Sequence, residues 1–171
     1  WVGPNSAILA TDGGAYRTSD HGGSWADIEN LPNSQFYRVE WNPHNPGKYT
    51  GGTQDNGSAG GPSATDEREG IANKHWYKTL FADGHQSATD PVYNDIIYAE
   101  TQQGGLYRVD LTTGEQVSIQ PKARLGEPHE RFNWDAPILV SPHNPKRLYF
   151  ASYRVWKSES RGDDWEPISG D

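Results

Sequence analysis

The stretch Tyr16-Arg17-Thr18-Ser19-Asp20-His21-Gly22-Gly23-Ser24-Trp25 occurs twice in the chain. Its second copy is Trp156-Lys157-Ser158-Glu159-Ser160-Arg161-Gly162-Asp163-Asp164-Trp165, whose closing Trp falls 140 positions later (165 − 25). Between them, Gly13-Gly14-Ala15-Tyr16-Arg17 returns as Gly104-Gly105-Leu106-Tyr107-Arg108, 91 positions on. The two offsets are about two and three units of ~45 residues. A third element repeats as Trp41-Asn42-Pro43-His44-Asn45-Pro46, Thr89-Asp90-Pro91-Val92-Tyr93-Asn94 and Val140-Ser141-Pro142-His143-Asn144-Pro145. Its prolines lie 48 and 51 apart, and each copy precedes an apolar segment, 48–53, 96–101 and 147–152. The unit is therefore strand, Pro-Asn turn, strand, tight turn, strand, Gly turn, strand.

Four short strands in ~45 residues is the pattern of a β-propeller blade. A blade has two faces to bury and must stack on its neighbours, which is why the unit repeats. The sequence predicts an all-β fold of three to four such blades: an incomplete one over 7–28, then 36–80, 86–119 and 137–168. Propellers usually hold four to eight blades. The chain is thus expected to be part of a larger ring, completed by blades of the same parent protein or of another chain. It begins at Trp1, not Met, and reads as a processed or excised piece. The stretches 58–74 and 120–131 break the rhythm and read as surface loops.

Composition agrees. The 171 residues include 19 Gly and 12 Pro but only 33% hydrophobic residues, and no Leu/Ala/Glu/Lys run could make a helical bundle. Seven Trp, nine Tyr and four Phe spread along the chain argue against disorder. The net charge of -8 speaks against a nucleic-acid partner, which needs clustered Lys and Arg. Without cysteine there is no disulfide, thiol nucleophile or Cys-ligated zinc. No apolar run is long enough for a membrane span, and no signal peptide is visible. No cofactor motif is present: Gly22-Gly23-Ser24 lacks the strand–helix setting of a nucleophile elbow.

Thr18-Ser19-Asp20-His21-Gly22-Gly23-Ser24-Trp25 resembles the Asp-box of BNR-repeat propellers, Ser/Thr-x-Asp-x-Gly-x-Ser/Thr-Trp. Ser158 to Trp165 is a decayed copy, with Ser160 for the Asp and Asp164 for the hydroxyl residue. The physics of the box is structural. The Asp20 carboxylate and Thr18 and Ser24 hydroxyls can cap backbone N–H groups, and Gly22 and Gly162 supply positive φ. Trp25 and Trp165 are expected to wedge between blades. The resemblance puts the box on the turn from third to fourth strand, away from the usual binding face. Gly51-Gly52-Thr53-Gln54-Asp55-Asn56-Gly57-Ser58 further resembles a stretch of large secreted, glycosyl-hydrolase-like and sortilin-like propellers. Asp83-Gly84, Tyr98-Ala99-Glu100, Gly104-Gly105-Leu106 and Arg131-Phe132-Asn133-Trp134 continue that pattern in order. The resemblance implies a six- to ten-bladed ring and an extracytoplasmic setting. It implies no proven reaction.

In such rings the turns between strands two and three share one rim with the blade-to-blade loops. Here these are Asp12-Gly13-Gly14, Gln54-Asp55-Asn56-Gly57, Gln102-Gln103-Gly104 and Tyr153-Arg154, together with Asp83, His85, His129, Glu130, Arg131, Asn133, Trp134 and Asp135. Trp faces stack on sugar rings while Asp, Asn and Arg bind hydroxyls, so Gln54, Asn56, His85, Arg131, Asn133 and Trp134 are the binding candidates, for a glycan or a peptide. A hydrolase would need two carboxyl groups about 5–9.5 Å apart, and Asp55, Asp83 and Asp135 are the candidates. Asp55-Asn56-Gly57 is equally the composition of a tight turn, and that reading is preferred. No arginine triad or Tyr/Glu nucleophile pair of the sialic-acid-directed propeller enzymes is found. His44 and His143 sit on different blades and read as a repeated turn, so no metal site is expected. Two functions stay open: a binding or scaffolding module, and part of a glycoside hydrolase.

Overall fold

Connections of a few residues leave no length for a crossover, so consecutive strands must pair antiparallel. The computed structural model describes residues 1–12, 14–29 and 34–170, in two compact units. The first, Trp1–Ser34, holds one sheet of β1 (Ala7–Thr11), β2 (Gly14–Thr18) and β3 (Ala26–Asp27). The second begins at Gln35 and holds three four-stranded antiparallel sheets, each in chain order. They are β4 (Phe36–Asn42), β5 (Asn45–Thr53), β6 (Gly57–Pro62) and β7 (Tyr77–Leu80); β8 (Gly84–Thr89), β9 (Ile96–Thr101), β10 (Gly105–Asp110) and β11 (Gln116–Ser118); and β12 (Ile138–Val140), β13 (Leu148–Ala151), β14 (Val155–Ser158) and β15 (Glu166–Pro167). We number the sheets blades one to four in chain order.

Blade three is covered on both faces, so its central strand has no polar-out alternation. Ile97, Tyr98, Ala99 and Glu100 of β9 are all fully buried. Tyr98 and Leu106 join Ile138, Leu148 and Phe150 of blade four, while Ile97, Ala99 and Val109 join Leu80 of blade two. The period of two along a strand thus divides one strand between two cores. The innermost strand β8 lies against β4 and β5 on one side and β12 on the other.

Blades two and three meet through glycine. A Cβ at Gly52 would lie 2.1 Å from the Gly84 carbonyl carbon, and one at Gly84 would lie 2.3 Å from the Gly57 oxygen. The two backbones touch because neither carries a side chain there. The same economy explains β6. Residues 58–62 were expected in a loop because they are small and polar. They form a strand instead, paired with β5 from Thr53↔Gly57 to Lys48↔Pro62. Their missing side chains leave room for aromatic rings: a Cβ at Gly60 would strike Tyr77, and one at Gly61 would strike Trp76.

The two related turns have one hydrogen-bond plan. The Ser24 N–H donates to the Asp20 carboxylate at 2.9 Å, and the Gly22 N–H to the Thr18 hydroxyl at 2.9 Å. In the second copy the Asp164 N–H donates to the Ser160 hydroxyl at 2.9 Å, and the Gly162 N–H to Ser158 at 2.8 Å. His21 and Gly22 have φ of 58° and 87°, and Arg161 and Gly162 have 59° and 91°. The hydroxyl of Ser160 therefore replaces the carboxylate of Asp20 without changing the turn. The side-chain and backbone hydrogen bonds of Ser24, with Thr18, hold the Asp20 carboxyl down to about 2. Trp165 packs on Phe150 and donates from Nε1 to the Ile119 carbonyl at 2.7 Å, bridging blades four and three. Trp25 is 44% exposed.

Replacing Gly52 by Ala forces the two backbones apart. Overpacking of this kind costs typically 1–3 kcal/mol, and contact with backbone places Gly52→Ala at the upper end, about 3 kcal/mol, in chemical denaturation of the full-length protein. Gly170→Ala, with nothing within 4 Å of its Cβ, is the neutral control. Equal midpoints for the two variants would contradict the glycine contact.

Candidate functional site

The turns from second to third strand and the blade-to-blade loops of blades two to four form one hydrogen-bonded rim. The Asp55 N–H donates to the Asp83 carboxylate at 2.7 Å, and the Gly57 N–H to the Ala82 carbonyl at 2.7 Å. The Asp83 N–H in turn donates to the Gln102 side chain at 3.1 Å. The Gln103 N–H donates to the Trp134 carbonyl at 3.1 Å, and the Tyr153 N–H to the Arg131 carbonyl at 3.0 Å. Three rim residues other than glycine take positive φ: Asp55 at 61°, Ala82 at 69° and Gln103 at 59°. Such conformations persist where surrounding contacts over-determine them. The turn at Asp12 and Gly14 belongs to the other unit, and its central Gly13 lies outside the described residues.

The candidate residues separate into three groups. Gln54, Asp55, Asn56 and Asp83 form the first, and their recorded bonds close loops. The Gln54 N–H donates to Gln35, the Asn56 amide to the Gln54 carbonyl, and Asp83 receives Asp55. Tight-turn chemistry accounts for them.

The second group surrounds His85, which is fully buried. Its ring stacks on Tyr37 at 4.4 Å and meets the edge of Trp134 at 6.4 Å. Asp135 Oδ1 comes within 3.2 Å of His85 Nδ1, but out of line for a hydrogen bond, so neither ring nitrogen has a hydrogen-bond partner. Arg38 Nε lies 3.8 Å from Asp135 Oδ2. The neighbouring Glu100 is an acid that the motif reading does not single out as a candidate. It is fully buried and accepts the Ala136 N–H at 2.9 Å. Burial pushes its carboxyl up to about 8, against the Ala136 hydrogen bond and with added repulsion from Asp135. The signal was available: an acid inside the apolar run Ile96-Ile97-Tyr98-Ala99-Glu100 must be paid for by a special environment.

The third group lines a cleft of about 630 Å³ beneath the loop that joins blades three and four. Gln103, Gln120, Lys122, His129, Arg131 and Phe132 contribute to its walls. The Arg131 guanidinium lies 4.8 Å over the Tyr153 ring, held by cation–π attraction. Glu130 also reaches the cleft, but its side chain is 4% exposed and its oxygens take bonds from Arg154, Ser152 and Trp156. Asn133 and Trp134 are exposed beside it. The loop 120–131 that forms the cleft contains no strand, as the sequence implied. His44, on the opposite side of the repeat, uses Nε2 to contact the Asp90 carbonyl at 2.9 Å. Among the described residues, no group of three or more His, Asp and Glu side chains could hold a metal ion. No described helix is long and apolar enough to cross a membrane.

Known proteins place this geometry in a fold. No protein-family model and no curated protein matches the chain. Solved structures do. An ancestral GH74 enzyme aligns with 97% of the chain at TM-score 0.54 and 18% identity. The GH74 xyloglucanase of Xanthomonas campestris aligns with 97% at TM-score 0.57 and 15% identity. YCF48 bound to D1 peptide aligns with 98% at TM-score 0.51 and 16% identity. The chain spans 22%, 28% and 51% of those three chains. At such identities the likeness establishes the fold alone: the chain is β-propeller.

The buried Glu100 generates a pH prediction. Its folded value of about 8 lies above the ordinary 4.5, so the native state keeps a proton that the unfolded chain releases. The stability it contributes is full below the ordinary value and declines as pH rises toward 8. Glu100→Gln should flatten the fall in melting temperature between about pH 5 and pH 8, and melt above the parent at pH 8. Parallel pH profiles would contradict the buried, protonated state.

Proposed function

We propose that the chain is part of a larger, extracytoplasmic Asp-box (BNR-repeat) propeller of the sortilin-like and glycosyl-hydrolase-like kind, and that it binds a ligand on its rim. The blades beyond this stretch come from the same polypeptide or from another chain. The observation that carries the reading is the 630 Å³ cleft with Arg131 at its wall and Trp134 exposed beside it. That volume is within the range of small-ligand sites. Trp, Arg and Asn at one rim suit a glycan. The peptide named with the YCF48 structure makes a peptide the other ligand class to test. The Asp83 carboxylate is engaged in loop closure, which favours binding over catalysis.

One observation supports the hydrolase reading. Glu100 and Asp135 are neighbouring carboxyls in unlike environments, one pushed to about 8 by burial and the other 38% exposed at its side chain. Divergent carboxyls are how an acid and a base are set apart. Glu100, however, has no exposed surface with which to touch a sugar.

In the full-length protein, Arg131→Ala and Trp134→Ala should each weaken binding to xyloglucan oligosaccharides or to a peptide array by about tenfold, the loss of one charge-assisted or stacking contact. Unchanged binding by both variants would overturn the rim site. The hydrolase reading expects Asp55→Asn, Asp83→Asn or Asp135→Asn to lower sugar release by about 10²–10⁴-fold. It fails when all three turn over polysaccharide like the parent.

A further inference from the structure

We infer that the cleft between Gln103 and the loop 120–131 is a site for an acidic glycan, a sugar chain carrying carboxylates. The inference rests on the rim-binding reading and names its ligand class.

The argument is one of unspent charge. Lys122, His129 and Arg131 line the cleft, and among the described residues none of the three has a carboxylate partner. The other arginines of blades three and four are committed: Arg108 to Asp163, Arg147 to Glu159, Arg154 to Glu127 and Glu130, Arg161 to Asp90. The acid that shares the wall, Glu130, is consumed by Arg154, Ser152 and Trp156. Removing it from play leaves the cleft cationic in a chain whose net charge is -8.

Geometry turns that charge into a donor set. Tyr153 supports the face of the Arg131 guanidinium at 4.8 Å, which leaves the edge of the fork to donate. A guanidinium edge matches the two oxygens of a carboxylate. The Gln103 and Gln120 side chains add amide groups suited to hydroxyls. The ring of Phe132 packs within the fold, against Phe150 and the space over Gly104, and with Pro121 and Ala123 it makes the apolar part of the wall. The charged and amide groups together suit a sugar that carries both carboxylates and hydroxyls.

The test is calorimetric titration of the full-length protein with three probes: a galacturonate trimer, a neutral xyloglucan oligosaccharide and an oligoglutamate peptide. The galacturonate is expected to bind at least tenfold more tightly than the other two. Lys122→Ala and Arg131→Ala should each weaken it by about tenfold, with parental melting temperatures. Equal affinity for neutral and acidic sugar, or acidic-sugar binding untouched by both variants, overturns the inference. Oligoglutamate binding as tightly as galacturonate overturns it in favour of a peptide. Neutral-sugar binding that Trp134→Ala abolishes and Lys122→Ala leaves intact overturns the acidic site while keeping the rim site. No binding of any probe removes both.

Discussion

The carboxylate of Asp90 ties blade three to blade four. It lies between β8 and β9 and is fully buried. One oxygen accepts the N–H groups of Val92 and Tyr93 at 2.8 and 3.0 Å. The other accepts the Tyr98 hydroxyl and Arg161 Nε, both at 2.7 Å. The Asp90 carbonyl meets His44 of blade two. Burial raises the carboxyl, but Arg161 and the other donors outweigh it, and the net shift is downward. A charge this deep is tolerable only with such a full set of partners, and breaking a buried pair costs about 3–5 kcal/mol. Arg161 reaches Asp90 from the second copy of the repeated turn, at φ 59°. That turn has lost its aspartate yet kept its shape, and its shape is what aims the arginine.

Both rims are tied by side chains. On the side of Asp90 the ties include Asn42 to Asn94 at 2.8 Å and Arg108 to Asp163 at 2.9 Å. On the other side, backbone bonds from the Gln103 and Tyr153 N–H groups to loop carbonyls of the next connection stand beside the ties of Asp83 to the Asp55 N–H and of Arg154 to Glu130. The strain is concentrated there too, at Asp55, Ala82 and Gln103. The acids of this rim differ. Asp83 is spent on a backbone N–H, whereas Asp135 faces a histidine it does not properly bond.

The all-β blades were legible because their causes are periodic. A turn that needs Asp, Gly and a hydroxyl at fixed offsets writes itself into the sequence, and so does a proline in the turn before each second strand. The strand over residues 57–62 was not legible, because its determinants sit elsewhere. Gly60 and Gly61 are there to admit Tyr77 and Trp76, which lie some fifteen residues on. Local composition reports flexibility, and only the fold reveals that the missing side chains were replaced by rings. Glu100 was overlooked for the opposite reason. Its carboxyl was counted among the strand's residues and not among the acids, although burial of an acid is more informative than its exposure on a turn. Asp83, on a turn, was the easier acid to notice, and its carboxylate closes a loop by accepting the Asp55 N–H.

Net charge was a poor guide to the rim. An excess of acids over the whole chain argues against a polyanion, but charges act over a screened range of about 8 Å at physiological ionic strength. Within that range, what matters is which charges are already neutralised. Most of the basic groups on blades three and four are paired, and so is Glu130, the acid on the cleft wall. Lys122 and Arg131 line the cleft and, among the described residues, have no carboxylate partner once the internal pairs are subtracted. A sequence count cannot perform that subtraction, because Glu130 and Arg154 are twenty-four positions apart and meet only once the loop folds back on blade four.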